Sequence, residues 1–227
     1  MAAVADARAG ARGPAGREPR SDGRSRSVTT PSTSPPDGSP TALVEPLAGL
    51  ADRPARPTVA GSFLLRPVDP ERDLPLLSDW MNDPAVDAFW QLAGPVERTA
   101  EQLRRQLVPG GHSLPCLGLL DGRPMSYWEV YRADLDPLAA HYPALPHDMG
   151  LHLAIGFAAD RGRGLGSVLL RAVADAVLER APRATRVVAE PDVRNVASLA
   201  AFRAAGFRKT AELRLPDKRA ALLVRRR

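Results

Sequence analysis

Cysteine is nearly absent from this chain of 227 residues: Cys116 is the only one. A single thiol excludes an intrachain disulfide framework and a cysteine-built zinc centre. Its apolar context, SLPCLGLL, marks a buried structural thiol rather than a nucleophile, because nothing nearby would lower its pKa. Long apolar runs are missing too. None nears the ~20 residues of a membrane span, and the N-terminus lacks the apolar stretch of a signal peptide. A soluble, cytoplasmic protein with no membrane partner is expected. Lysine is scarce: only Lys209 and Lys218 occur, so the formal net charge of +5 rests on arginine. A solvated arginine-rich surface explains this better than a nucleic-acid groove. Arg161, Arg163 and the Arg225-Arg226-Arg227 tail could form such a groove, but no aromatic-basic surface motif accompanies them.

What is present divides in two. Residues 1–60 are dominated by Ala, Gly, Pro, Ser and Arg, as in RSDGRSRSVTTPSTSPPDGSPT. Such a segment buries too little apolar surface to offset its ordering entropy, so a disordered tail is expected. Residues 61–227 carry regular periodicities. FLLRPV, LPCLGLL, PMSYWEVYR, MGLHLAIG, TRVVAEP, FRKTAEL and RAALLVR read as strands, and Asp121-Gly122 reads as a hairpin turn between the second and third. ERDLPLLSDWMNDP reads as a helix ended by Pro84, PVERTAEQLRRQL as a helix with Thr99 a plausible N-cap for its better-defined part, GLGSVLLRAVADAVLERA as a long amphipathic helix, and VASLAAFRAAG as a helix closed by Gly206. This predicts an α/β domain around one mixed sheet of about seven strands with about four helices.

Two stretches carry chemistry. The first is Arg161 to Gly166, RGRGLG, placed after a strand and opening the long helix. A helix start offers unpaired N–H groups and the positive end of the dipole, and glycines let a phosphate approach the backbone. The spacing fits neither a P-loop nor a dinucleotide fingerprint. The second is MGLHLAIG. Alternation places Met149, Leu151, Leu153 and Ile155 on one face and Gly150, His152, Ala154 and Gly156 on the other. His152 thus stands on a face of very small residues, where another group could approach. In TRVVAEP the same rule puts Arg186, Val188 and Glu190 together, with Glu190 at the C-terminal end of the strand, where open α/β sheets bind ligands. His147 and His152 are five apart and face opposite ways in a strand, so no metal site is expected.

Arg161, Gly164 and Gly166 fit the pattern Arg/Gln-x-x-Gly-x-Gly/Ala, and Asn195, Ser198, Phe202, Gly206 and Phe207 fit Asn-x-x-(Ala/Ser)-x-x-x-Tyr-x-x-x-Gly-Phe except at Phe202. From about Ser62 to Arg225 the chain therefore resembles the GCN5-related N-acetyltransferase (GNAT) superfamily. Four further blocks, Trp80-Met81-Asn82 with Pro84, Val86 and Phe89-Trp90, then Tyr127 to Tyr131, His147 to Gly156, and Val188 to Asp192 with Arg194-Asn195, are similar to those of siderophore-pathway acyltransferases of the mycobactin, aerobactin and desferrioxamine types.

The resemblance implies a sheet whose fourth and fifth strands splay apart to hold an acyl-CoA arm. It implies donor contacts from Leu153, Ile155, Arg161, Gly162, Arg163, Gly164, Leu165, Gly166, Asn195 and Phe202. His152 and Glu190 would be the catalytic pair. Trp90, Glu129 and Asp148 would face the acceptor, although Trp90 is equally suited to a core. The donor would be acyl-CoA or an acyl carrier protein, and the acceptor the terminal amine or N-hydroxyamine of lysine, cadaverine or a siderophore intermediate; an unrelated amine, such as an antibiotic or a protein N-terminus, is the alternative. Phe202 stands where the family often has a tyrosine acid, so the leaving thiolate would not be protonated from there. A lysine-like amine, with a pKa of about 10.4, needs a proton acceptor at neutral pH; Glu190 is expected to be that base, with His152 positioning the amine or relaying its proton, or the two roles are exchanged. A backbone N–H near Leu153 would polarise the thioester carbonyl.

Overall fold

The computed structural model describes residues 54–227. The elements run β1 (Arg56–Thr58), β2 (Gly61–Pro67), α1 (Pro70–Met81), α2 (Pro84–Trp90), α3 (Val96–Gln106), β3 (Ser113–Leu120), β4 (Arg123–Arg132), β5 (Met149–Ile155), α4 (Leu165–Arg180), β6 (Arg186–Ala189), α5 (Val196–Ala204), β7 (Arg208–Arg214) and β8 (Arg219–Arg226). The strands form one eight-stranded sheet in the order β1-β2-β3-β4-β5-β6-β8-β7. The β5–β6 pair is parallel and its neighbours β4–β5 and β6–β8 are antiparallel, so the sheet is mixed as expected.

Alternation along the central strands builds a core on each face. Met149 and Leu151 of β5 and Val187 and Ala189 of β6 pack with Leu169, Leu170, Val173 and Val177 of α4 and Phe202 of α5. On the opposite face Ala154 of β5, Leu117 and Tyr127 meet Leu77, Trp80 and Met81 of α1, Val86 of α2 and Leu103 of α3. A third cluster closes the far end, where Tyr131 and Val188 pack with Leu213, Leu222 and Val224 of the terminal hairpin. Among the described residues no helix is long and apolar enough to cross a membrane.

Three expectations need correction. The described sheet begins upstream of residue 61: β1 lies within the expected tail and pairs with β2 in the register Arg56↔Phe63. The remainder of that tail, residues 1–53, lies outside the described residues. Pro84 does not merely end α1; it starts α2. Asp83 caps that helix by accepting from the Ala85 N–H, and Pro84 occupies the first turn, where it has no N–H to waste. The chain around Phe89 and Trp90 is therefore helical, giving five α-helices among the described residues where about four were expected. Thr99 is not an N-cap: α3 begins three residues earlier, after Pro95, and Thr99 faces inward at 3% exposure.

The hairpin read at Asp121-Gly122 is present, with both residues at positive φ (49° and 79°) as a tight two-residue turn requires. Gly206, at φ 94°, follows the last turn of α5 as a C-terminal glycine should.

Candidate active site

The parallel strands β5 and β6 pair only at Met149↔Val187 and Gly150↔Val188. Beyond that point β5 runs on through Ile155 without a β6 partner in register, whereas β6 ends at Ala189. The two strands thus part in a wedge, as the resemblance implied for the family's fourth and fifth strands. His152 and Glu190 come from the two sides of it.

His152 is held at both ring nitrogens. Nδ1 lies 2.7 Å from Glu129 Oε2, and Nε2 lies 2.6 Å from Glu190 Oε1. The second oxygen of Glu190 accepts from the Tyr131 hydroxyl at 2.9 Å. Behind Glu129, Oε1 accepts from Gln106 Nε2 at 2.5 Å, and Gln106 in turn accepts from the Tyr127 hydroxyl at 2.9 Å. Lys218 Nζ stands 3.6 Å from Glu190 Oε1. The result is a row of charges, Glu129, His152, Glu190 and Lys218, laid across the wedge.

The electrostatics follow from that row. Burial works against a charge on His152, but the Glu190 charge and the hydrogen bonds to Glu129 and Glu190 outweigh it and raise the imidazole to about 9. Burial would likewise raise both carboxyl groups, yet Glu190 is held far below its ordinary value by the His152 charge and hydrogen bond, by Lys218 and by the Tyr131 hydroxyl. Glu129 is lowered chiefly by its bond to His152. At neutral pH the histidine is an imidazolium donating to two carboxylates.

The small residues beside His152 have a different use from the one the sequence suggests. A Cβ at Gly150 would fall 2.1 Å from the Tyr131 ring, and one at Gly156 would fall 2.1 Å from the Trp80 indole. Aromatic rings already occupy that space. The tight approach at Gly150 is what brings the Tyr131 hydroxyl to Glu190.

Two cavities share a wall here, and the pair lines the smaller. One, of about 80 Å³, is lined by His152, Glu190, Asp192 and Lys218 with Phe89 and Trp90. The other, of about 490 Å³, runs along Leu153, Ala154 and Ile155 of β5 to Arg161, Gly162, Gly164, Leu165 and Gly166. Phe89, Trp90, Leu153, Asn195, Ser198 and Phe202 line both and so form the shared wall. The glycine loop turns with Gly162 and Gly164 at φ 71° and 76°, and Gly164 leads into the 16-residue α4 without a side-chain cap. An uncapped helix start facing a cleft is a ready anion site.

Of the expected contacts, Arg163, Glu129 and Asp148 line neither space, and several that do line one are also held by contacts of their own. The Arg161 guanidinium is committed to Ile155 O (3.0 Å), Gly156 O (2.6 Å) and Asp83 Oδ1 (2.8 Å), so it fastens the loop to β5 and to the start of α2. Arg163 is exposed and lines neither cavity. Glu129, at 2% exposure, reaches neither, and its contacts are those that orient His152. Asp148 is fully buried in an ion pair with Arg186, both of its oxygens at 2.7 Å, and also accepts from Tyr142. It holds the loop ahead of β5 rather than facing an acceptor. Asn195 caps α5, accepting from the Ser198 N–H at 3.0 Å. Phe202 is buried edge-on against Phe207 at 5.0 Å.

Sequence reasoning missed Tyr131 and Lys218. Tyr131 had a signal, the YWEVY strand, in which Tyr131 and Glu129 share a face. Lys218 had only its rarity.

An acetyltransferase (GNAT) domain model matches residues 69–215. The lysine N-acyltransferase MbtK of Mycobacterium sp. (strain MCS) is 36% identical over 169 residues, 74% of this chain and 69% of that protein. The N(6)-hydroxylysine O-acetyltransferase of Escherichia coli is 35% identical over 168 residues, covering 74% of this chain but only 53% of its own length. The chain therefore spans about half of that enzyme. Among solved structures, an uncharacterised protein from Bacillus halodurans superposes with a TM-score of 0.66 at 32% identity, over 77% of this chain and 92% of that one.

Proposed function

Because the chain belongs to the acetyltransferase (GNAT) family, we propose that it is an N-acyltransferase of siderophore biosynthesis. It takes an acyl group from acyl-CoA, or from an acyl carrier protein, and places it on the terminal amine or N-hydroxyamine of lysine, cadaverine or a siderophore intermediate. The observation that carries this reading is the His152–Glu190 pair at 2.6 Å, set at the mouth of the β5–β6 wedge and sharing a wall with the glycine-loop cleft.

In this reading the phosphates of the donor rest on the N–H groups at the start of α4, and the pantetheine arm lies along the free edge of β5. The thioester carbonyl comes to the shared wall, where an N–H of β5 near Leu153 would meet the oxygen as negative charge develops on it. The acceptor nitrogen enters from the smaller cavity and attacks the carbonyl carbon. Once the C–N bond begins to form, the nitrogen becomes acidic and its proton passes to Glu190. His152, already protonated, is not the base; it holds Glu190 in place and keeps it ionised. The C–S bond breaks, and the thiolate takes up the proton. A thiol of pKa about 8.5 leaves readily, so Phe202 need not supply an acid.

The test is release of free thiol from acetyl-, succinyl- and long-chain acyl-CoA, each with lysine, N6-hydroxylysine and N-hydroxycadaverine. Turnover with at least one pair is expected; no release above background with any pair would overturn the reading.

A further inference from the structure

The charge cluster at the smaller cavity, with Glu129 behind its wall, is already balanced before an acceptor arrives. Glu129 and Glu190 carry two negative charges, and His152 and Lys218 two positive ones. Asp192, the other carboxylate in its wall, is matched by Arg194 at 2.6 Å. Both oxygens of Glu190 are in use, one by His152 at 2.6 Å and one by Tyr131 at 2.9 Å. Lys218 is different. Its side chain is 16% exposed, its Nζ reaches Glu190 only at 3.6 Å, and among the described residues no hydrogen bond of ordinary length engages the ammonium. A compact cation with unused donors therefore stands where the nitrogen of the acceptor must come.

From this placement we infer that Lys218 selects the acceptor by charge, favouring a neutral N-hydroxyamine over a protonated amine, its ammonium donating to the N-hydroxyl oxygen. The inference rests on the acyltransferase reading and narrows it. An alkylammonium would add a net positive charge to a buried, neutral cluster, next to an existing cation, and that charge has no partner there. It would also have to give up a proton before attack. Glu190, held strongly acidic, and His152, already protonated, are poor acceptors for a proton from such a group. N-hydroxylation lowers amine basicity, so R–NH–OH enters neutral with its lone pair free. Attack forms C–N and breaks C–S; the N–H proton passes by way of Glu190 to the departing sulfur, giving R–N(OH)–acyl and the free thiol.

The experiment compares kcat/KM for N6-hydroxylysine and lysine at pH 7 in the wild type, in Lys218→Met and in Lys218→Arg, with thermal unfolding confirming that each variant is folded. The wild type should prefer the hydroxylated acceptor. Removing the cation in Lys218→Met should shrink that preference by roughly tenfold or more, through both a loss with N6-hydroxylysine and a gain with lysine. Lys218→Arg should keep it. A wild type that uses lysine as well as N6-hydroxylysine, or a Lys218→Met variant with an unchanged ratio, would overturn the inference while leaving the acyltransferase reading intact. Absence of thiol release with both acceptors, and with N-hydroxycadaverine as a third, would overturn that reading and this inference with it.

Discussion

His152 of β5 and Glu190, the residue that follows β6, meet at 2.6 Å although the two strands have already parted. Where the ladder of backbone bonds between β5 and β6 stops, an ion pair takes over as the tie across the wedge. In the proposed reaction the same contact serves structure and chemistry, and substitutions here should separate the two.

Glu190→Gln removes the proposed proton acceptor and keeps the shape. We expect kcat for thiol release to fall by about 10²–10⁴-fold, with folding retained by circular dichroism. Full turnover at pH 7 in this variant would remove Glu190 from its role as base.

Stability should depend on pH in a defined direction. The folded-state pKa of His152, about 9, lies above its ordinary 6.5. Its contribution is complete below 6.5 and is lost as pH rises through about 9, because the folded state binds the extra proton across that window. Glu190 and Glu129 are both lowered, so their contribution is present above about 4.5 and falls away as the medium becomes more acidic. The melting temperature, followed from pH 4 to 10, should decline faster above about 6.5 in the wild type than in His152→Gln.

Glu129→Gln probes a residue that lines neither cavity. Loss of its charge should lower the His152 pKa, visible in the NMR titration of the imidazole, and reduce kcat by roughly tenfold with little change in KM. A raised acceptor KM with kcat unchanged would instead mark Glu129 as a substrate contact.

Gly150→Ala should be costly for a reason peculiar to its neighbour. The new methyl would overlap the Tyr131 ring, whose centre also lies 5.0 Å from that of His152. Overpacking of this kind costs about 1–3 kcal/mol, readable by urea denaturation. Displacing the ring should also withdraw the Tyr131 hydroxyl from Glu190 and lower kcat.

Asp148→Ala should destabilise the fold by about 3–5 kcal/mol, since it leaves the Arg186 guanidinium buried without its partner. The donor and acceptor KM values of the folded fraction should remain close to those of the wild type.

Much of this site could be read along the chain because β-strand alternation is a local rule. The facing of His152 and Glu190 needed only the period of two and the identity of each strand. The glycine turn before α4 was legible for a similar reason: its chemistry lies in consecutive residues. Tyr131 was harder, because its hydroxyl reaches Glu190 only through the antiparallel register Tyr131↔Gly150, which no single segment encodes. Lys218 was hardest. It sits in the β7–β8 turn, and it nears Glu190 because β8, not β7, is the strand beside β6. The helix α2 was hidden by a local ambiguity: Asp83-Pro84 ends one helix and starts the next, and proline is compatible with both.

The Arg161 guanidinium, bound to Ile155, Gly156 and Asp83, is in mechanical terms a cross-brace. It ties the glycine turn at one end of the larger cleft to Asp83, the N-cap of α2, a helix whose last residue is Trp90 in the wall shared by both cavities. The turn and that indole are thereby joined through a single helix of seven residues. One guanidinium thus fixes the spacing between the glycine turn and the ring that stands 6.1 Å from the histidine.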